Sequence, residues 1–251
     1  LIGVTRFFRD KEFFEKLKAT AVRRIVEKST ENVPIRVWSA GCSTGEEAYS
    51  AAILFREVLD ETGLERDVKI FATDIDAKAV ERAGKGIYSD DILDDVSTER
   101  LSKFFVKKND QYQISKDIRK MIIFAAHNMT SDPPFGKLDL IICRNVLIYF
   151  QPVLQRSLFS IFHSALKAGG YLFLGKSETA GEYLKVFTPV GSLEKIYMHH
   201  VDSKISDLTP PMFNIPSVQT VHYPMAEISR SEDNVHPQEN VYTQFLERFL
   251  P

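Results

Sequence analysis

The sequence predicts an α/β fold built on a mostly parallel central sheet, and three observations predict it. Short apolar runs alternate with amphipathic helical patterns along most of the chain. The first such run ends in a turn of small residues, Ala40-Gly41-Cys42-Ser43-Thr44-Gly45, that opens a helix. The second ends in acid, Asp74-Ile75-Asp76. Strand, Gly-rich turn, helix, strand and acidic end follow one another as in a βαβ unit that holds an adenosine-type ligand at the carboxyl ends of its strands.

The elements follow in order. Phe13, Phe14, Leu17, Ala21 and Ile25 recur at helical spacing over residues 11–28, with Asp10 as the expected N-cap. Asn32-Val33-Pro34 breaks that unit. Residues 35–39 read as the first strand, 46–59 as a helix, 68–73 as the second strand and 77–83 as a short helix. Residues 86–120 interrupt the alternation. They are expected to form an inserted subdomain with a helix near 97–104 and a hairpin at Asn109-Asp110. Strands are expected over 121–126 and 138–143. A helix over 153–168 is ended by Gly169-Gly170, and a strand over 171–175 follows. Residues 186–190 and 195–198 flank Gly191-Ser192 and read as a closing antiparallel pair. Pro, Ser, Asp and Asn dominate after that. The expected organisation is an N-terminal arm and helix at 1–30, a ligand-binding domain at 31–200, and a linker or tail at 201–251 with a short amphipathic helix over 241–250.

Bulk properties set limits on function. The 251 residues carry a net charge of -2, with 44% hydrophobic and 26% charged residues, so nothing draws the whole chain to nucleic acid. No apolar run approaches the roughly 20 residues that span a bilayer, and Arg6, Arg9 and Asp10 interrupt any signal-peptide pattern. Two cysteines, Cys42 and Cys143, suggest neither a disulfide framework nor a zinc site. A cytoplasmic location is expected, with no membrane insertion. The first residue is not Met and a motif begins at once, so a piece of a longer protein with neighbouring domains is expected.

No Lys or Arg lies between Trp38 and Phe55. That argues against a phosphate-rich ligand and for a nucleoside such as S-adenosylmethionine. Asp74 sits where an acid accepts hydrogen bonds from both ribose hydroxyls, which leaves Asp76 to cap the next helix. Glu46 and Glu47 suit the positive end of a helix dipole, or one of them faces a ligand cation. Cys42 and Cys143 read as packing residues, His127 as structural and His199-His200 as surface residues; no metal site is expected.

Four strings then look familiar together. Thr5-Arg6-Phe7-Phe8-Arg9, the run from Trp38 to Glu47, Asp74-Ile75-Asp76, and Cys143-Arg144-Asn145-Val146-Leu147-Ile148-Tyr149-Phe150 resemble the motifs of chemoreceptor glutamate methyltransferases, the CheR family, in its order and spacing. The run Asn128-Met129-Thr130-Ser131-Asp132-Pro133-Pro134-Phe135 resembles members fused to methylesterase and sensory domains. The resemblance covers about residues 1–200. It implies a Rossmann-like class I methyltransferase fold with a closing antiparallel strand and a small inserted subdomain. It implies S-adenosylmethionine as cofactor, S-adenosylhomocysteine as product, and the helical cytoplasmic region of a chemoreceptor, or a related signalling protein, as acceptor.

Position by position, the resemblance brings Thr5 and Arg9 to cofactor and acceptor. It puts Ala40 and Gly41 on the methionine moiety, Glu47 at the acidic cofactor contact, Asp74 on the ribose, and Asn128 and Met129 beside the adenine. Arg144 and Asn145 lie by the cofactor, and Tyr149 lies near the reacting methyl. Arg9 and Tyr149 are the implied catalytic pair. The family's helical N-terminal domain is represented only by its end. Lys107-Lys108-Asn109-Asp110-Gln111-Tyr112 lacks the Gly-rich loop of members that dock on a receptor pentapeptide, so no such docking is expected. Two alternatives remain at this point: a methyltransferase of another acceptor, and an inactive S-adenosylmethionine-binding signalling module.

Overall fold

A computed structural model describes residues 5–191 and 195–201. The expected tail and its helix over 241–250 lie outside the described residues. Seven strands form the main sheet: β1 (Ile35–Ala40), β2 (Val68–Asp74), β6 (Ile122–Ala126), β7 (Leu138–Cys143), β8 (Leu166–Leu174), β9 (Phe187–Pro189) and β10 (Ile196–His199). Their order is β6-β2-β1-β7-β8-β10-β9. The first five run parallel, and β10 is antiparallel to both of its neighbours. This is the expected Rossmann-like sheet with its closing antiparallel pair.

The direction of winding reverses between β1 and β7, so the carboxyl ends of those strands frame a crevice. The burial of β1 follows from that central place. Val37, Trp38, Ser39 and Ala40 are all fully buried, and the Trp38 indole donates to Thr73 Oγ1 at 2.9 Å. Helix α3 (Glu46–Thr62) buries Ala48, Tyr49, Ala52, Ile53 and Phe55 in the hydrophobic core and starts directly at the Gly turn.

The amphipathic segment over 11–28 is three consecutive helical pieces: α1 (Lys11–Leu17), a π-helical turn at Lys18–Val22, and α2 (Arg23–Lys28). Asp10 precedes it with φ 61° and its side chain caps nothing; the carboxylate is taken by Arg144 instead. The expected cap is thus corrected: a buried guanidinium competes better for that carboxylate than helix-start amides do. Helix α4 (Ala77–Lys85) is capped by Asp76, whose carboxylate accepts from the Lys78 and Ala79 amides.

Between α4 and β6 lies a three-stranded antiparallel sheet, ordered β3 (Ile87–Ser89), β5 (Gln111–Ile114), β4 (Phe105–Lys108). Helix α5 (Thr98–Phe104), with Ser97 as its cap, leads into β4, and α6 (Lys116–Arg119) follows β5. Asn109 turns the hairpin with φ 53°. Tyr88 sends its hydroxyl to the Thr44 carbonyl at 2.8 Å, fastening this sheet to the Gly turn.

Helix α7 (Pro152–Ala165) ends earlier than its apolar pattern predicts, and Gly169-Gly170 does not end it. Both glycines lie inside β8, at a register irregularity between the Leu138 and Leu140 pairings. Gly169 has φ 75°, and a Cβ on Gly170 would press on the carbonyls of Lys167 and Leu138, so the pair serves a bulge. Among the described residues, no helix is long and apolar enough to cross a membrane.

Candidate functional site

The site begins with two phenylalanines. Phe7 and Phe8 are both about 1% exposed. Phe7 meets Tyr88 and Phe105 edge-on, at ring distances of 4.9 and 5.5 Å. Phe8 packs edge-on against Phe14, lies under the Arg100 guanidinium at 4.2 Å, and its amide donates to Ser50 Oγ at 3.0 Å. Both rings are packing residues. Anchored this way, the arm presents Thr5, Arg6 and Arg9 to a cavity of about 330 Å³ at the carboxyl edge of the sheet.

That cavity is lined by Thr5, Arg9, Gly41, Glu47, Asp74, Asn128, Met129, Arg144, Asn145 and Tyr149, which brings together all but one of the residues singled out in the sequence. The exception is Ala40, fully buried in β1 one residue before the lining begins. Its size falls in the range of small-molecule sites. Gly41 sits at φ 78°, and a Cβ there would lie 2.6 Å from Val146 Cγ2. The turn therefore needs glycine twice over, for its backbone and for the approach of the loop after β7.

The two acids at the head of α3 divide. Glu46 takes the Thr44 hydroxyl at 2.7 Å, while Glu47 faces the cavity. Burial pushes Glu47 up to about 7, against the pull of Arg144. Arg144 has a fully buried side chain between the Phe14 and Phe173 rings, at 5.1 and 4.7 Å. It donates to Asp10 at 2.7 Å and reaches Glu47 at 3.5 Å, while its Nε is buried without a hydrogen-bond partner. The Arg144 guanidinium is thus shared between Asp10 and Glu47.

At the end of β2, Asp74 holds one carboxylate oxygen against the Ser43 amide at 2.8 Å and the other against the Asp76 amide at 3.0 Å. Each oxygen keeps lone-pair capacity for a further donor, such as a vicinal diol. Asn128 uses Oδ1 on the amide and hydroxyl of Thr130, so its Nδ2 is the group left to reach into the cavity. Met129 is 8% exposed beside it. Asn145 has φ 58°, and Tyr149 stands half-exposed at the rim.

Cys42 and Cys143 are buried, and burial raises both thiols well above their ordinary range, as suits packing residues. His127 sits edge-on to Trp38 with Nε2 on the Pro133 carbonyl. His199 corrects the sequence reading: it is 1% exposed in β10, with Nε2 2.7 Å from His163 Nδ1. Its cross-strand partner Phe187 and His163 on α7 pack against it, a property of the fold that the paired histidines in the sequence do not announce.

The CheR methyltransferase SAM-binding domain matches residues 3–196, with every cavity residue named above inside the match. The chain belongs to the CheR methyltransferase family. S-adenosylmethionine is its cofactor, and the Rossmann-like sheet with its antiparallel strand is a class I methyltransferase fold. The chain is 41% identical over 197 residues to an uncharacterized 104.1 kDa protein of Rhodobacter capsulatus, covering 78% of this chain and 21% of that one. It is 37% identical over 180 residues to a chemotaxis protein methyltransferase of Borreliella burgdorferi, covering 70% and 64%. A Listeria innocua chemotaxis protein methyltransferase is 36% identical over 177 residues, covering 70% and 65%. The chain thus spans from about a fifth to just under two thirds of the length of these three relatives.

One buried acid beside the cavity escaped the sequence reading. Glu178 is 4% exposed and accepts from four backbone amides, three in the loop after β7 and that of Gly175 just after β8. The only signal was its place just beyond an expected strand, which many surface acids share.

Proposed function

We propose that the chain is the catalytic part of a protein-glutamate O-methyltransferase that modifies the helical cytoplasmic region of a chemoreceptor or a related signalling protein. The observation that carries this reading is the cavity itself, which gathers acids for a cation and a diol together with Arg9 and the half-exposed Tyr149. When bound, S-adenosylmethionine supplies an electrophilic methyl group on a sulfonium. Asp74 holds the ribose hydroxyls, and Glu47 faces the ammonium or sulfonium. Asn128 and Met129 flank the adenine, Gly41 borders the methionine moiety, and Arg144 and Asn145 close the floor beside it.

Arg9 orients the acceptor carboxylate through its planar fork, with Thr5 next to it. Tyr149 directs its hydroxyl at the reacting pair. A glutamate side chain ionises near ~4.3, so at neutral pH it needs no general base. The protein's work is orientation, which is worth roughly 7–11 kcal/mol in well-aligned reactions. The β4–β5 turn, Asn109-Asp110, has no glycine, which supports acceptor binding without a pentapeptide dock.

The test is the product. Incubated with S-adenosylmethionine and a receptor cytoplasmic fragment, the chain should yield a methyl mark that mild base releases as methanol. A base-stable mark would move the acceptor to a nitrogen or an ether oxygen and overturn the glutamate reading.

A further inference from the structure

Two loops meet at the crevice, one after β7 and one after β8, and a single buried carboxylate joins them. Glu178 Oε1 accepts the Val146 and Leu147 amides at 2.9 and 2.8 Å, and Oε2 accepts the Asn145 and Gly175 amides at 2.9 and 2.6 Å. Two carboxylate oxygens offer about four lone-pair sites, so this group is saturated. It has no capacity left for a ligand or a proton transfer. Bonds from N–H to an ionised acceptor are roughly twice as strong as neutral ones, and here all four are drawn inside the protein.

The geometry points to Glu178 as a positioning residue of the cofactor site. Asn145 is held at φ 58°, a conformation non-glycine residues seldom adopt, by the bond at its own amide. Val146, held next, puts Cγ2 2.6 Å from where a Cβ on Gly41 would be. The amides of Tyr149 and Phe150 then bond back to the carbonyls of Val146 and Leu147, so the turn carrying Tyr149 is built on the two residues that Glu178 clamps. The approach is closest at Gly175, where a Cβ would fall 2.6 Å from Glu178 Oε2 and 2.8 Å from the Asn145 amide. Glu178 does not itself line the cavity; it acts through Asn145, Val146 and the Tyr149 turn.

This inference rests on the cofactor site assigned above, and two readouts keep them apart. The first is amide hydrogen exchange of the chain without ligand. The second is calorimetric titration with S-adenosylhomocysteine. In Glu178→Gln, one acceptor oxygen becomes a donor facing amides. Exchange at Asn145, Val146 and Leu147 should rise at least tenfold while β1 and β2 keep their protection, and affinity for S-adenosylhomocysteine should fall at least tenfold. Glu178→Asp keeps the charge but withdraws it by one methylene; it should fold where the glutamine variant fails and should regain part of the affinity. Unchanged affinity in a folded Glu178→Gln or Glu178→Asp protein, with or without a lower melting temperature, would overturn the positioning role. So would unchanged exchange at the three amides. A parent chain that binds no S-adenosylhomocysteine would sink the cofactor assignment instead, and the exchange result would still judge the clamp.

Discussion

Asp74 and Glu47 carry the sharpest expectations at the residue scale. Asp74 is fixed by two backbone amides and retains open lone pairs. Asp74→Ala is expected to cost S-adenosylmethionine affinity tenfold or more, about 1.4 kcal/mol per tenfold, with a near-normal melting curve. Near-normal affinity by calorimetry would take the ribose away from it. Glu47 titrates near 7, raised chiefly by burial. Its carboxyl is protonated below that value, and a bound cation favours the ionised form, so binding expels a proton. Affinity should therefore fall as pH drops from 8 to 6, by at most about tenfold per unit below 7. Glu47→Gln should flatten the profile; a flat profile in the parent chain would remove Glu47 from the cation's neighbourhood. These two acids were legible because each follows a recognisable strand or turn. Arg144's pairing with Asp10 was not, because 134 residues separate them and only the fold brings them within 2.7 Å.

At the scale of elements, α7 and β10 are joined by a pair of histidines. His199 Nδ1 donates to the Lys167 carbonyl at 2.9 Å, which leaves its Nε2 to accept from His163 Nδ1 at 2.7 Å. Burial is the leading cause that lowers both imidazoles from 6.5. The unfolded chain then takes up protons before the folded one does. The stabilisation is complete above about pH 6.5, declines as pH falls below it, and levels off once the folded pair is protonated. A melting temperature that drops between pH 7.5 and 5, with a shallower drop in a His163→Gln, His199→Gln double variant, is the expected result; equal drops would acquit the pair. The strands and helices were readable from periodicity, since a buried parallel sheet writes apolar runs. The exceptions have local causes. Gly169-Gly170 reads as a helix stop in one dimension and serves a strand bulge in three. Burial of His199 depends on β9 and β8 closing on either side of it.

For the whole molecule, a mostly parallel sheet begun by one βαβ unit was legible, because a Gly turn follows one strand and an acid the next; the order of the remaining strands was not. The packing of the arm on α3 and on the inserted sheet was not, because edge-on contacts such as Phe7 with Tyr88 join segments 81 residues apart and leave no periodic trace. The site gathers its walls from Thr5 to Phe150, yet the clamp at Glu178 comes 28 residues after the last of them. During synthesis, then, every wall residue leaves the ribosome before the strut that sets their spacing. A nascent chain carries the complete list of contacts for some time without a usable pocket, and competence switches on late, when β8 and the turn beyond it fall into place.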